Sequence, residues 1–291
     1  MTPAAVHYQA RMQRVRDHVD RHLDDDLRLD DLSAVAAFSR FHFHRQFTAT
    51  HGISVHRYVQ LLLLKRAAHR LAFRPVEPVT AIALDAGYET PDAFGRVFRK
   101  TFGQSPTAFR KAPDWQPWHL AFAPLKAART RIMPIPFTLD QVDIVTVAAT
   151  PVAIMAHHGD PAHIGTTIQR FIAWRKANQL PPSSHATFNI FHTDHASTDP
   201  SDSHIDLCVA TTRSFADAGI QAGSILGGRC ATLRLIGSGD DLEAGFDFLY
   251  REWLPQSREE ARDAPPYCQR LRLFPDVAEH EAETLLFLPL Q

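Results

Sequence analysis

Residues 81–111, AIALDAGYETPDAFGRVFRKTFGQSPTAFRK, constrain this chain more than any other stretch. Ala81 to Ala86 begins a short amphipathic helix, and Gly87 supplies the positive φ that a tight turn needs. Thr90 stands at an N-cap position, with Pro91 at the first helical residue, where its missing N–H costs nothing. Beyond it Phe94, Val97, Phe98 and Phe102 recur at helical spacing and make one apolar face. Asp92, Gly95, Arg96 and Arg99 form the opposite face. Two helices joined by a short Gly-bearing turn, the second with a short basic exposed face, describe a helix-turn-helix.

The same construction occurs about fifty residues earlier. Leu29, Leu32, Val35, Ala36 and Phe38 give a short helix, and Ser39 caps another over Arg40–Thr48. There Phe43 and Phe47 form an i, i+4 buried pair, while Phe41, His44, Arg45 and Thr48 share the other face. Between the two units, residues 55–73 contain no Gly or Pro and predict a long helix, closed off by Pro75 and Pro78. Upstream, Met12, Val15, Val19 and Leu23 predict an amphipathic helix over 5–23 that Asp24-Asp25-Asp26 breaks.

The string Ala86-Gly87-Tyr88, Phe94, Arg96, Phe98-Arg99, Phe102-Gly103, Ser105-Pro106, Phe109-Arg110 resembles the signature of the AraC family of bacterial transcription regulators. The earlier stretch FSRFHFHRQFTATHG, with Ile53-Ser54-Val55 and Tyr58, resembles that family's first helix-turn-helix. The resemblance implies an all-α domain over 1–112, with helix-turn-helices at about 29–51 and 79–103. Its two recognition helices would enter successive major grooves of double-stranded DNA, about 34 Å apart. One chain then reads two half-sites, so a monomer on DNA is plausible, and RNA polymerase is an expected partner. On these helices Arg45 and Arg96 suit bidentate contact with guanine O6/N7. His44 can donate or accept at a base edge, Phe41 can pack on a thymine methyl, and Asp92 can accept from cytosine N4. Lys65, Arg66, Arg99 and Lys100, with Arg110 and Lys111, are expected at phosphates, which give affinity without sequence. Gly95 puts a flexible residue inside the second recognition helix, at about 1 kcal/mol relative to Ala.

Charge supports this assignment. The chain is nearly neutral, but residues 1–112 carry a net +6 and the remainder a net −7, so a polyanion suits the first part alone. Cys208, Cys230 and Cys268 show no CxxC spacing and read as reduced thiols. No apolar signal core opens the chain, and the longest aliphatic run, Leu61–Leu64, is far too short to span a bilayer. A cytoplasmic protein without membrane contact is expected.

Residues 113–136 hold Pro113, Pro117, Pro124, Pro134 and Pro136, and predict a semi-rigid linker that docks through Trp115, Trp118 and Phe122. Residues 137–291 then alternate strand and helix patterns: strands near 142–147, 152–158, 188–192, 205–210, 230–236, 269–273 and 284–288, helices over 161–178 and 240–253. Sliding the chain by 78 positions brings Gly159 onto Gly237, Ile164 onto Leu242, Ile168 onto Phe246, Phe171 onto Leu249 and Ile172 onto Tyr250. A duplicated α+β unit follows, with a central groove between its halves, a common place for a small ligand.

This part resembles the GyrI-like effector-binding domain, through Gly159, Ile205-Asp206-Leu207-Cys208-Val209, Gly227-Gly228-Arg229-Cys230-Ala231, Leu249 to Ser257 and Leu288-Pro289-Leu290. The resemblance implies a small-molecule effector. Where the family commonly shows Pro-x-Phe-Glu-x-Tyr, this chain has Pro265-Pro266-Tyr267-Cys268-Gln269-Arg270, which puts Cys268 in place of a pocket glutamate. Selectivity for lipophilic cations loses its charge partner there. Phe191, Tyr250, Trp253 and Tyr267, with Cys268, are the expected effector-site residues. The pairs His18/His22, His157-His158 and His192/His195 complete no zinc set, so neither metal nor cofactor is expected. No GxSxG, Walker A or dinucleotide pattern occurs, and no enzyme is expected. The alternatives are a GyrI-like hydrolase and a ligand-sequestering protein, which would leave the basic double helix-turn-helix without a role.

Overall fold

The computed structural model describes residues 3–25, 27–130, 137–193, 199–217 and 219–291. Asp26, Pro134, Pro136 and His195 lie outside them. The chain divides into two compact units, Met1–Pro134 and Ile135–Gln291.

The first unit is helical: α1 (Pro3–Arg21), α2 (Leu29–Val35), α3 (Arg40–His51), α4 (Val55–Phe73), α5 (Val79–Asp85), α6 (Pro91–Phe102), α7 (Pro106–Lys111) and α8 (Trp115–Thr130). Four helix starts are set by one device. The hydroxyls of Ser39, Ser54, Thr90 and Ser105 accept from the backbone N–H groups of His42, Arg57, Ala93 and Ala108. Each such cap contributes about 1 kcal/mol. Helices α3 and α6 also end alike, on left-handed Gly52 (φ 75°) and Gly103 (φ 72°). The inner turns differ. After α5 the positive φ falls on Gly87 (80°), but after α2 it falls on Ala37 (53°), a conformation that costs a non-glycine residue roughly 1–2 kcal/mol.

The predicted linker departs from expectation. Residues 115–130 are a helix of the first unit, packed against α3, α4 and α6. The reason is spacing: Trp115, Trp118, Phe122 and Leu125 recur at helical intervals and are all buried. Pro117 sits in the first turn, where a missing N–H is harmless, and only Pro124 interrupts the ladder. The face joins a run of rings in which Phe102 lies 5.6 Å from Phe122, and Phe109 5.5 Å from Trp115. His51, at the end of α3, is buried against Phe47, with ring centroids 4.0 Å apart, and burial lowers its pKa to about 4.

The second unit is one eight-stranded antiparallel sheet with helices. Its strands are β1 (Val142–Val147), β2 (Thr150–His158), β3 (Thr187–Phe191), β4 (His204–Ala210), β5 (Gln221–Ile225), β6 (Gly228–Ile236), β7 (Tyr267–Arg272) and β8 (Glu283–Pro289). They run in the order β1-β6-β8-β7-β3-β4-β2-β5. Helix α9 (Ile164–Ala177) follows β2, and α10 (Leu242–Phe248) follows β6. The 78-residue repeat is structural: Gly159 (φ 100°) and Gly237 (φ 124°) close β2 and β6, and Asp160 and Ser238 then cap matching 3-10 turns. One feature of the pairing was not predicted. Each repeat lends its first strand to the other, β1 pairing with β6 and β5 with β2. Strand β5 departs from the expected set of strands, because QAGSI carries little strand signal.

Candidate nucleic-acid interface and effector site

The first unit presents two matched helices. On α3, Phe41 (72% exposed), His44 and Arg45 are exposed while Phe43 and Phe47 are fully buried. The Arg45 guanidinium lies over the Phe41 ring, 5.5 Å from its centroid, so the two project as one cationic and apolar tip. Thr48 is partly buried, and its hydroxyl donates to the His44 carbonyl. On α6, Asp92, Arg96, Arg99 and Lys100 are exposed, opposite buried Phe94, Phe98 and Phe102. Among the described residues no carboxylate pairs with Arg45, Arg96, Arg99 or Lys100. Space around Gly95 is open, since a Cβ there would meet nothing within 4 Å.

Two expected phosphate contacts are corrected. Lys65 is buried at 5% exposure, because α4 is apolar on most sides and position 65 faces inward with Leu61, Leu64 and Ala68. Arg66 is engaged within the unit. Its guanidinium pairs with Asp24 at 2.6 Å and donates to the Asp85 carbonyl at 2.9 Å, tying α4 to the end of α5. Its side chain is 14% exposed, so it positions the second helix-turn-helix. Arg110 likewise donates to the Glu77 carbonyl.

In the second unit, strand alternation sorts the candidates. Helix α9 packs over β2, and α10 over β6 and β8, so the middle pair β7–β3 runs between them. Phe191 reaches the helix side, its ring 5.4 Å from Phe246 of α10. Cys268 and Trp253 share a buried cluster there with Leu249 and Leu286. Tyr250 is 40% exposed on a π-helical turn, Leu249–Trp253, that continues α10. Tyr267, one residue from Cys268, points to the opposite face and stacks on Phe287 at 4.6 Å. It therefore does not join the other four, since successive strand residues face opposite ways. Burial pushes both the Cys268 thiol and the Tyr267 phenol above their usual pKa.

The helix side of the middle pair also holds polar residues that the sequence reading missed. Arg270 donates from Nε to Asn189 Oδ1 at 3.0 Å, and the Cys268 thiol lies 3.8 Å from the same oxygen. Arg175 of α9 donates to Thr187 Oγ1 at 2.6 Å and to the carbonyls of Leu180 and His185. Burial lowers its pKa to about 10. Neither guanidinium has a carboxylate partner among the described residues. The strip is thus aromatic at the Phe191 end and cationic at the Thr187 end. A period-2 reading of β7 would have put Arg270 beside Cys268. Arg175 was hidden because it stands at an inward helix position, where a guanidinium is rare.

Among the described residues, His192, His204 and Asp206 form a group whose ligating atoms lie within 4.8 Å of one another. No helix among the described residues is long and apolar enough to cross a membrane.

Residues 140–291 match the family of GyrI-like small molecule binding domains, and residues 32–112 match a helix-turn-helix domain family. The chain is 33% identical over 156 residues to the probable transcriptional regulator YgiV of Escherichia coli (strain K12), covering 53% of this chain and 97% of that protein. It is 29% identical over 133 residues to the right origin-binding protein of the same strain, spanning 46% of this chain and 43% of that protein. Among solved structures, the cryo-EM structure of the EcmrR–DNA complex in EcmrR-RPo covers 89% of this chain and 84% of its own, at 10% identity and a TM-score of 0.45.

Proposed function

The chain belongs to the family of GyrI-like small molecule binding domains, and from this we propose how it works as a ligand-responsive, DNA-binding transcription regulator of the AraC type. The observation that carries the reading is the pair α3 and α6: two helices of equal length, capped alike, each burying a phenylalanine face and exposing arginine that no carboxylate pairs, Arg45 on α3 and Arg96 and Arg99 on α6. Arg45, His44 and Phe41 read one half-site and Arg96 and Asp92 the other, while Arg99 and Lys100 hold phosphates. Both helices lie on one chain, so a monomer occupies the whole site. Function in the cytoplasm and contact with RNA polymerase complete the reading.

The effector occupies the helix side of β7–β3, against Phe191, Trp253 and Tyr250, where the π-helical turn marks a place of altered helix packing, as such turns do at many functional sites. Its polar end is an anion, because Arg270 and Arg175 offer charge that only neutral oxygens meet. Binding shifts transcription to the extent that the ligand favours one of two states of the chain. Catalysis has no support here: Cys268 replaces the carboxylate on which hydrolysis in relatives would rest, and its buried thiol is a poor nucleophile.

The test is selection of binding sites from random double-stranded DNA with the wild-type chain and with Arg45→Ala. The expected result is two short blocks about one helical turn, ~34 Å, apart, with information lost from one block only in the variant. Absence of any enrichment at low salt would overturn the reading.

A further inference from the structure

The face of the sheet opposite α9 and α10 carries a cluster that neither DNA reading nor the effector strip uses. On β4, His204 and Asp206 are two residues apart and so share one face. His192, just past β3, is hydrogen-bonded alongside, its N–H donating to the His204 carbonyl. The side chains converge. His192 Nε2 lies 2.7 Å from Asp206 Oδ2, and His204 Nε2 lies 3.0 Å from Oδ1. The Asp206 side chain is only 9% exposed, and the two imidazoles about a third, so the carboxylate forms the floor and the rings form the mouth. Their rings stack at 4.1 Å, and His158 of β2 stacks on the far side of His204 at 4.2 Å.

We propose that His192, His204 and Asp206 bind a divalent transition-metal ion. Two imidazole nitrogens and one carboxylate oxygen are the donor set that zinc and iron(II) accept, and three protein ligands leave a position open for water or a further ligand. Both histidines present Nε2 to one carboxylate, His192 at Oδ2 and His204 at Oδ1, and the three donor groups lie within 4.8 Å of one another. Metal–ligand bonds of about 2.1 Å require donors roughly 3.4 Å apart in tetrahedral geometry. The present oxygen–nitrogen separations are hydrogen-bond lengths, so entry of the ion exchanges two N–H···O bonds for metal bonds. Each metal-bound imidazole then carries its proton on Nδ1, and the two rings, within 14° of parallel, tilt out of their stack so that both Nε2 lone pairs reach the ion. Among the described residues no Lys or Arg pairs with the buried Asp206 carboxylate, and a divalent ion on the same donors supplies a cationic partner. The strand pattern His-x-Asp, with a histidine delivered by the neighbouring strand, is what a sequence reading would have had to find.

The experiment uses the full chain, stripped of metal, in a His18→Ala/His22→Ala background. That background removes a stacked helical histidine pair that offers a second, unrelated zinc site. Zinc is titrated in competition with a chromogenic chelator, and cobalt(II) is followed by its visible d–d bands. One site per chain is expected, weakened at least tenfold by His204→Ala and by Asp206→Asn, with loss of the tetrahedral cobalt spectrum. His192→Ala, at the exposed strand end, gives the same loss without threatening the fold. Absence of a saturable site, or a site that survives His192→Ala and His204→Ala unchanged, overturns the proposal.

Discussion

At the scale of single residues, charge and burial decide what this chain can hold. Arg270 reaches Asn189 from the strand that carries Cys268, and its guanidinium faces oxygens that cannot neutralise it. The full chain is therefore expected to bind an amphipathic anion such as anilinonaphthalene sulfonate more tightly than the lipophilic cation tetraphenylphosphonium. Arg270→Gln should reduce the anion's affinity by about tenfold, the scale of one charge-assisted hydrogen bond at ~1.5–3 kcal/mol. Fluorescence titration reads both probes. Preference for the cation would sink the anionic reading and leave the strip as a site, whereas failure of both would remove the site. His51 acts on stability. Its folded pKa of about 4 lies below that of a free imidazole, so as pH falls the unfolded chain takes up the proton first. Its contribution is full above pH ~6.5 and is lost as pH falls towards 4, on the order of 3 kcal/mol at 1.36 kcal/mol per pH unit. Urea unfolding between pH 7.5 and 5 should show the loss, and His51→Leu should flatten it.

At the scale of elements, most starts and stops were legible, since caps are local chemistry. Thr90-Pro91 and Ser39 stand where the helices begin, and Gly52 and Gly103 stand where they end. The elements that misled were those whose state is set from outside. Residues 115–130 have a linker's prolines, yet they form α8 because their aromatics meet Phe102, Phe109 and Phe73. The exchange of β1 and β5 between the repeats is of this kind too. It brings the links after β1 and β5 so close that a Cβ on Gly227 would lie 2.7 Å from Ala149 N and 3.1 Å from Val147 O. Both atoms are backbone and cannot yield. Gly227→Ala should lower stability by about 1–3 kcal/mol, as overpacking does. By contrast Gly95→Ala, in open space, should raise it by about 1 kcal/mol. Thermal unfolding of the two variants gives opposite shifts if the crossing is tight.

At the scale of the whole molecule, the amino-acid sequence by itself determined the two-part organisation, the GyrI-like family of the second part, and the faces of α3 and α6. These depend on periodicity, capping and charge, which act over a few residues and survive in any context. Phe43, Phe47, Phe94 and Phe98 could be assigned to the inside because three- and four-residue spacing allows one buried face. It was the tertiary structure that decided which charges are free. Lys65 and Arg66 look alike in the sequence; folding buries one and binds the other to Asp24 and Asp85. The tertiary structure alone also put Arg175 of α9 at the Thr187 end of the strip and brought His192 to His204 and Asp206. The physical reason is range. A cap is satisfied by neighbours in the chain, whereas a carboxylate's partner or a guanidinium's isolation is set by strands that meet only when the sheet closes.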